Sequence, residues 1–575
     1  MAIRVSKLMK ELNMSMSTLE SVLDALGYRE PDFMPNTMLP DGIDILVRAY
    51  CHNDSDLLSL IEVDAFGNQN LYENPRDIKI KGSNSFDVPP LRYIENNSFW
   101  VSELLLLSPN NKGIRINVGS FEEVDTAPLY SVLIGTNGAG KSMLLKEIVD
   151  FFIDLHAYVR NTGKQLNAVK GRLRGIKYHI DGVDCEVARL EKTYIVKING
   201  YYQDIKELRL PSIVACHFGA FDKFPTQKVN GSQHTKYDVP YYKYVGAHVN
   251  GSLISSSAIA FRLLFALNEQ MDDKQRQSIC SLLDFIGYDH KISLSYSLVH
   301  KSRKDGNARD TIAQRVDNDR EYNNLNKQEK SVITNRLYSF YKEKTTSGKT
   351  RHVYEIDFDR QRVSRGSDDE LQVIYKLRQC DLVYSPNVFF YRQGYGITSE
   401  EMSSGEFAML STVLSISAAA NDPHTLVLLD EPELSLHPNW QMMLIGNLDR
   451  ALANKACHLL IATHSHMLVS DLPMKRSLVC QVEKDKEGNL NSTAIAESTY
   501  GWSAEEVLLK VFKTATDRNR YFGERIGKLL EQMGNNTINP EEVKGELLEL
   551  QEISMHLSDI DPMKTVLNTI VEAYK

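Results

Sequence analysis

The chain has 575 residues, 42% hydrophobic and 25% charged, and a formal net charge of −9. That length exceeds what a single compact core organises, so about two to four globular domains are expected. No run reaches the roughly 20 apolar residues of a membrane span, the start Met1-Ala2-Ile3-Arg4-Val5-Ser6-Lys7 lacks the apolar core of a signal peptide, and the net acidity gives no global pull toward nucleic acid; a cytoplasmic protein without a membrane partner is expected.

Residues 1–75 read as a small helical module. Apolar residues recur at helical spacing at Val5, Leu8, Met9 and Leu12 and again at Leu19, Val22, Leu23 and Leu26, with Met14-Ser15-Met16-Ser17 between them, which predicts two or three helices. The segment Ile3-Arg4-Val5-Ser6-Lys7-Leu8-Met9-Lys10-Glu11-Leu12 resembles the small N-terminal helical domain of bacterial translation initiation factor two. The resemblance implies docking to protein or RNA, with a purely structural role as the alternative.

Residues 76–249 carry the most specific signal. The apolar run Tyr130-Ser131-Val132-Leu133-Ile134 leads into Gly135-Thr136-Asn137-Gly138-Ala139-Gly140-Lys141-Ser142, and Met143-Leu144-Leu145-Lys146-Glu147-Ile148 continues as a helix. A strand, a glycine-rich turn and a helix start in this order form a phosphate-binding loop. Backbone N–H groups around Asn137, Gly138 and Gly140 wrap the phosphates, Lys141 reaches the β and γ groups, and the Ser142 hydroxyl is placed for Mg²⁺.

Residues 250–385 are expected to form an inserted helical subdomain, with segments such as Ala258-Ile259-Ala260-Phe261-Arg262-Leu263-Leu264-Phe265-Ala266-Leu267 but no sustained heptads. Within it, residues 301–350 hold 12 Lys or Arg against 7 Asp or Glu, interleaved with Tyr322, Tyr338, Phe340 and Tyr341. This segment reads either as a nucleic-acid contact through phosphates and stacking or as an exposed helical hairpin with buried aromatics.

Residues 386–500 supply a second set of nucleotide motifs. Met402-Ser403-Ser404-Gly405-Glu406 opens a helix whose free N–H groups make an anion site at Ser403, Ser404 and Gly405. Thr425-Leu426-Val427-Leu428-Leu429 reads as a buried parallel strand ending in Asp430-Glu431, an acidic pair able to hold Mg²⁺ and to orient an attacking water. The next strand, Leu459-Leu460-Ile461-Ala462, delivers His464 to the same edge, where it can sense a γ-phosphate.

Residues 501–575 turn helical, and 517–575 are acidic, with 7 Lys or Arg against 11 Asp or Glu. Val507, Leu508, Leu509, Val511 and Phe512 suit a helix packed on one face. Asp559-Ile560-Asp561-Pro562 reads as a capped helix start and not as a strand-borne metal site, so intrinsic nuclease activity is not expected. The seven cysteines include no Cys-x-x-Cys pair, which argues against zinc or a disulfide framework.

Taken in order, these motifs resemble the ATP-binding-cassette ATPase superfamily. The resemblance implies an α/β fold with a mixed sheet, ATP and Mg²⁺ as ligands, and a head-to-tail dimer in which the signature at 402–406 of one copy completes the site of the other. It assigns catalysis to Lys141, Glu431 and His464, nucleotide contacts to Asn137, Gly138, Gly140, Lys141, Ser142, Ser403, Ser404 and Gly405, and metal to Ser142 and Asp430. Either Asp222 or Gln227 would contact the metal after the preceding strand. The string Asp430-Glu431-Pro432-Glu433-Leu434-Ser435-Leu436-His437-Pro438 is similar to that of the soluble SMC-like, RecF-like and overcoming-lysogenization-defect ATPases, and Phe218-Gly219-Ala220-Phe221-Asp222-Lys223-Phe224-Pro225 is similar to a phrase of bacterial defence ATPases. Two functions are implied. One is the ATPase subunit of a Septu-type or retron-type anti-phage system, controlling a separate HNH-type nuclease. The other is a stand-alone SMC-like or RecF-like repair ATPase that clamps DNA. A cassette-type translation factor is disfavoured, because such chains carry two cassettes.

Overall fold

The computed structural model describes residues 3–26, 28, 34–39, 43–52, 98–108, 113–121, 127–135, 138–160, 171–190, 193–219, 222–226, 236–237, 239–249, 252–253, 256–267, 273–299, 307–318, 322, 325–359, 362–367, 369–453, 455–485, 488–495, 499–502, 507, 527 and 562–573. The chain divides into two compact units, Met1–Gly501 and Trp502–Lys575.

Helices α1 (Val5–Leu12), α2 (Met16–Ala25) and α3 (Ile43–His52) form the N-terminal module, tied by a short antiparallel ladder between Ile3–Arg4 and Met38–Leu39. The Ser15 side chain caps α2 by accepting from the Thr18 N–H at 3.1 Å. Val5, Leu8, Leu19, Leu23, Leu46 and Val47 form its core together with Leu190 and Ile195. Those last two residues belong to the adjacent sheet, so the module is seated on it.

The main core begins with β1 (Phe99–Leu107), β2 (Gly113–Asn117) and β3 (Leu129–Ile134), followed by α4 (Lys141–Arg160). Next come β4 (Leu173–Ile180), β5 (Val183–Leu190), β6 (Thr193–Ile198), β7 (Ser212–Cys216) and β8 (Tyr242–Tyr244). The insertion then contributes α5 (Ser256–Leu267), α6 (Asp273–Ile286), β9 (Lys291–Leu298), α7 (Ala308–Asn318), α8 (Lys327–Thr346), β10 (His352–Asp357), β11 (Arg362–Arg365) and α9 (Glu370–Gln379). After it the chain runs through β12 (Val383–Arg392), β13 (Tyr395–Thr398), α10 (Ser404–Ala419), β14 (Thr425–Asp430), α11 (Pro438–Ala451), β15 (Cys457–Thr463), α12 (His466–Val469), β16 (Ser477–Lys484) and β17 (Leu490–Ile495).

One seven-stranded sheet has the order β8-β7-β14-β15-β3-β16-β17. Its first six strands are parallel and β17 runs antiparallel at the edge. Every residue of β3, β14 and β15 is buried, as near-continuous apolar runs require when both faces of a parallel sheet are covered. Register aligns the strand ends. Asp430 pairs with Ala462 and Thr463 with Ile134, so the carboxyl ends of three neighbouring strands finish level and deliver their loops to one edge.

A second sheet, antiparallel in the order β2-β1-β4-β5-β6, ends on the short strand Tyr201–Tyr202. Helix α4 is packed into one core with both sheets: Ile148 and Phe152 belong to it with Leu104, Tyr178 and Val187 of the antiparallel sheet and Leu428 and Leu460 of the parallel one. Fully buried His458 links the layers. Its Nδ1 accepts from the Val101 N–H at 3.1 Å, which leaves Nε2 to donate to Ser131 Oγ at 2.7 Å. Burial pushes its pKa down to about 3, so the ring is a neutral structural bridge.

The helices expected in 250–385 are present, but they carry a five-stranded antiparallel sheet of order β11-β10-β9-β12-β13. The strand Lys291-Ile292-Ser293-Leu294-Ser295-Tyr296-Ser297-Leu298 alternates apolar residues with serines, and that period of two is the strand signature which a search for helical repeats passes over. Strand β12 crosses the expected boundary at residue 385. In the 301–350 segment, Tyr341 is buried and donates to the Val299 carbonyl at 2.7 Å, Tyr338 stacks on Tyr341, and Lys344 and Lys376 sit over Phe340 and Tyr322. These rings are engaged within the chain, which favours the helical-hairpin alternative over base stacking.

In the second unit, helix α13 (Pro562–Ala573) starts at the proline, as the sequence pattern predicts. Leu508, Leu509, Val511, Phe512, Asp559 and Asp561 lie outside the described residues.

Candidate active site

The phosphate loop closes the end of β3. Gly138 and Gly140 have φ of 80° and 100°, the left-handed conformations for which glycine is suited. A side chain at Gly135 would run into the main-chain oxygen of Val482 on β16, so this glycine answers to close approach. Thr136 and Asn137 lie outside the described residues. Helix α4 starts at Lys141, leaving the N–H groups of its first turn facing the loop. A cation not anticipated from the sequence also reaches the loop: Lys484, at the end of β16, donates to the Gly138 carbonyl at 2.8 Å.

Lys141 is only 5% exposed. Its ammonium donates to the Gly135 carbonyl at 2.9 Å and to His464 Nε2 at 3.0 Å. Burial lowers its pKa to about 8, against the opposing pull of Glu431, Asp430 and Glu433. Burial and the Lys141 charge also lower the pKa of His464, so the imidazole accepts the ammonium proton as a neutral ring.

Asp430 is buried at the end of β14, and Ser142 Oγ donates to its Oδ1 at 2.9 Å. The serine hydroxyl and the carboxylate are a pair of hard oxygen donors of the kind suited to Mg²⁺. Burial raises the Asp430 pKa to about 6, despite the Ser142 hydrogen bond. A divalent cation would supply the charge this carboxylate lacks.

Glu431 adopts φ 48°, uncommon for a residue with a Cβ, and its N–H donates to the Ala462 carbonyl at 2.8 Å. Its Oε1 lies 3.9 Å from His464 Nε2. Glu433, part of the Asp430–Pro438 string but given no role there, accepts from the His464 main-chain N–H at 2.8 Å and so pins the histidine loop. Burial raises its pKa.

Gln227 lies outside the described residues. Asp222 is turned toward Tyr244, the Phe224 N–H at 2.7 Å and His248 at 3.5 Å. The side chain from this loop that bonds to Asp430 is instead His217, whose Nδ1 lies 2.7 Å from the Asp430 main-chain oxygen. Because that oxygen can only accept, Nδ1 is the donor. Nε2 is buried without a hydrogen-bond partner among the described residues. His217 lines a cleft of about 250 Å³ with Asp430, Glu431, Ala408 and Thr412. A ring nitrogen in a cleft beside a carboxylate is placed to hold a water.

The signature residues open α10 through a capping box. Ser403 Oγ accepts from the Glu406 N–H at 3.2 Å, and Glu406 Oε2 accepts from the Ser403 N–H at 2.9 Å. Glu406 also pairs with Arg392. Ser403 and Ser404 are exposed. A side chain on Gly405 would sit 3.1 Å from the Ser435 oxygen and 3.3 Å from the Trp440 ring, so the small residue here is also demanded by packing within the chain.

Residues 300–471, which include the signature, Asp430, Glu431 and His464, match the protein family described as AAA domain, putative AbiEii toxin, type IV TA system. Among solved structures, the chain is similar to the SmcHead bound to the C-winged helix domain of ScpA, at 12% identity over 69% of this chain and 97% of that one, with a TM-score of 0.29. It is also similar to the Smc head domain with an extended coiled coil bound to the C-terminal domain of ScpA derived from Pyrococcus furiosus, at 12% identity over 69% and 96%, with a TM-score of 0.28. No curated protein matches the sequence. None of the described helices is long and apolar enough to cross a membrane.

A buried ammonium whose pKa is lowered opposes folding while it remains charged. The penalty is full below pH about 8 and fades as pH rises toward the ordinary lysine value of 10.5. Lys141→Met should therefore stabilise the ligand-free chain by about 1–3 kcal/mol at neutral pH while abolishing ATP binding. Denaturant unfolding paired with nucleotide titration checks this, and an unstable variant that binds ATP normally would refute it.

Proposed function

We propose that this chain binds Mg²⁺-ATP at the phosphate loop and hydrolyses it between two copies, as the ATPase subunit of an anti-phage defence complex that controls a separate nuclease. The observation carrying the ATPase reading is the convergence of Lys141, Ser142, Asp430, Glu431 and His464 at one sheet edge. The description of the family matched over residues 300–471 names a toxin–antitoxin system, which accords with an activity held in check by a partner. The longest described helix of the insertion has 20 residues, about 30 Å, and supplies no long coiled-coil arm of the kind a DNA tether uses. These points favour the defence reading over a repair clamp.

In this mechanism the β and γ phosphates take the Lys141 ammonium from Gly135 and His464, and the histidine is released toward the γ-phosphate. Mg²⁺ between Ser142 and Asp430 would neutralise charge developing on the phosphates. Glu431 accepts the proton of the attacking water, and His217 Nε2 hydrogen-bonds to water in the same cleft. The exposed start of α10, at Ser403 and Ser404, presents its N–H groups to the nucleotide of the partner copy.

Glu431→Gln and His217→Phe should both retain ATP affinity and differ in severity. The first is expected to slow turnover on the order of 10² to 10⁴-fold, as loss of a positioned base does. The second should slow it about 10-fold, as loss of one water contact does. Single-turnover kinetics at saturating ATP read both, and wild-type turnover in Glu431→Gln would remove the base assignment.

Ser404→Phe should block hydrolysis without weakening ATP binding to a single copy, because the residue is exposed in its own chain. Mixing it with Lys141→Ala should restore one working site per mixed dimer. Absence of recovery once subunit exchange is verified would contradict the shared site.

The purified chain with Mg²⁺ or Mn²⁺ should leave DNA and RNA intact, and nuclease activity should appear only with a co-purifying second subunit. Metal-dependent cutting by the chain alone that vanishes in Asp559→Ala or Asp561→Ala would overturn the two-protein reading.

A further inference from the structure

A second group of ligand-type side chains gathers away from the phosphate loop, at one end of the insertion sheet. Cys280 and Asp284 stand four residues apart on α6, which places them on one face. The helix ends at Gly287, with φ 85°, and the chain turns through His290 into β9. Strand β10 pairs with β9 so that Asp357 lies opposite Lys291, and the Phe358 N–H donates to the His290 carbonyl at 2.9 Å. That pairing brings Asp359 back to the histidine. Ligand atoms of Cys280, His290 and Asp359 all lie within 4.8 Å of one another.

The imidazole is held between two carboxylates. Nδ1 is 2.6 Å from Asp359 Oδ1, and Nε2 is 2.9 Å from Asp284 Oδ1 without the alignment of a hydrogen bond. Whichever ring nitrogen takes an ion, the other keeps a carboxylate to fix the ring, the arrangement that accompanies metal-bound histidines.

We propose that Cys280, His290 and Asp359 bind a zinc ion, with Asp284 as the carboxylate that orients the imidazole. One sulfur, one nitrogen and one oxygen donor suit this borderline-soft ion, and water completes four-coordination. The ion would fasten α6 to the sheet. Phe285, beside Asp284 on α6, packs on Trp440 at 6.4 Å, and Trp440 is the ring that confines Gly405. The Gly287 carbonyl also accepts from Arg392, the partner of Glu406 in the signature capping box. The bound metal is therefore a support for the mount of the signature helix, separate from the Mg²⁺ position at Ser142 and Asp430.

The test uses the full chain without nucleotide, dialysed against chelator and titrated with zinc against a chromophoric competitor, then with Co²⁺ for the sulfur-to-metal absorption band. The wild type should bind one zinc per chain and show the band. Cys280→Ser should lose the band, Cys280→Ser and His290→Gln should lose zinc, and Asp284→Asn should weaken zinc binding about 10- to 100-fold, while circular dichroism and ATP affinity stay as in the wild type. If His290→Gln does not fold, Cys280→Ser and Asp359→Asn carry the comparison. A wild type that takes up no zinc, or zinc uptake unchanged in the ligand variants, would leave a simple His290 ion-pair cluster and overturn the site.

Discussion

A lysine ammonium held almost out of water is the constraint on which the rest of the site depends. Among the described residues Lys141 bonds to the Gly135 carbonyl and His464 Nε2, and three acids lie near enough to raise its pKa, yet burial still wins. A buried cation whose pKa burial lowers favours any ligand that brings negative oxygens to it. The protein thus keeps folding energy in reserve at the place where phosphate would enter, a common trade of stability for function.

The surrounding structure keeps that arrangement from relaxing. Level strand ends set the spacing between the loop, Asp430 and His464, and a slip of one residue in β14 or β15 would turn the acidic pair and the histidine to the other face. Glu433 holds the histidine main chain from below. His458 and Ser131 tie β15 and β3 to the antiparallel layer. Gly135 and Gly405 are both small because another part of the chain occupies the space, Val482 in one case and Trp440 in the other.

What was legible in the sequence was what local pattern encodes. The phosphate loop declares itself through its glycines and flanking elements, and β14 and β15 through unbroken apolar runs ending in Asp430 and His464. The N-terminal helices follow from spacing of apolar residues. What was not legible depends on register between distant segments. His217 reaches the Asp430 main chain because β7 pairs with β14 so that Cys216 lies opposite Leu429, one residue before each of them. Lys484 reaches the loop only because β16 lies beside β3. Cys280, His290 and Asp359 meet through the β9–β10 pairing, with no short spacing to announce them. The insertion sheet escaped because serines filled the alternate positions of β9, hiding a buried strand in a polar-looking run.

The most direct measurement is a structure of the full chain with Mg²⁺ and a non-hydrolysable ATP analogue. The account predicts that Lys141 Nζ leaves His464 and the Gly135 carbonyl for the β and γ oxygens, with the metal between Ser142 and Asp430. Nucleotide bound elsewhere, or bound at the loop with the Lys141–His464 contact unbroken, would contradict it.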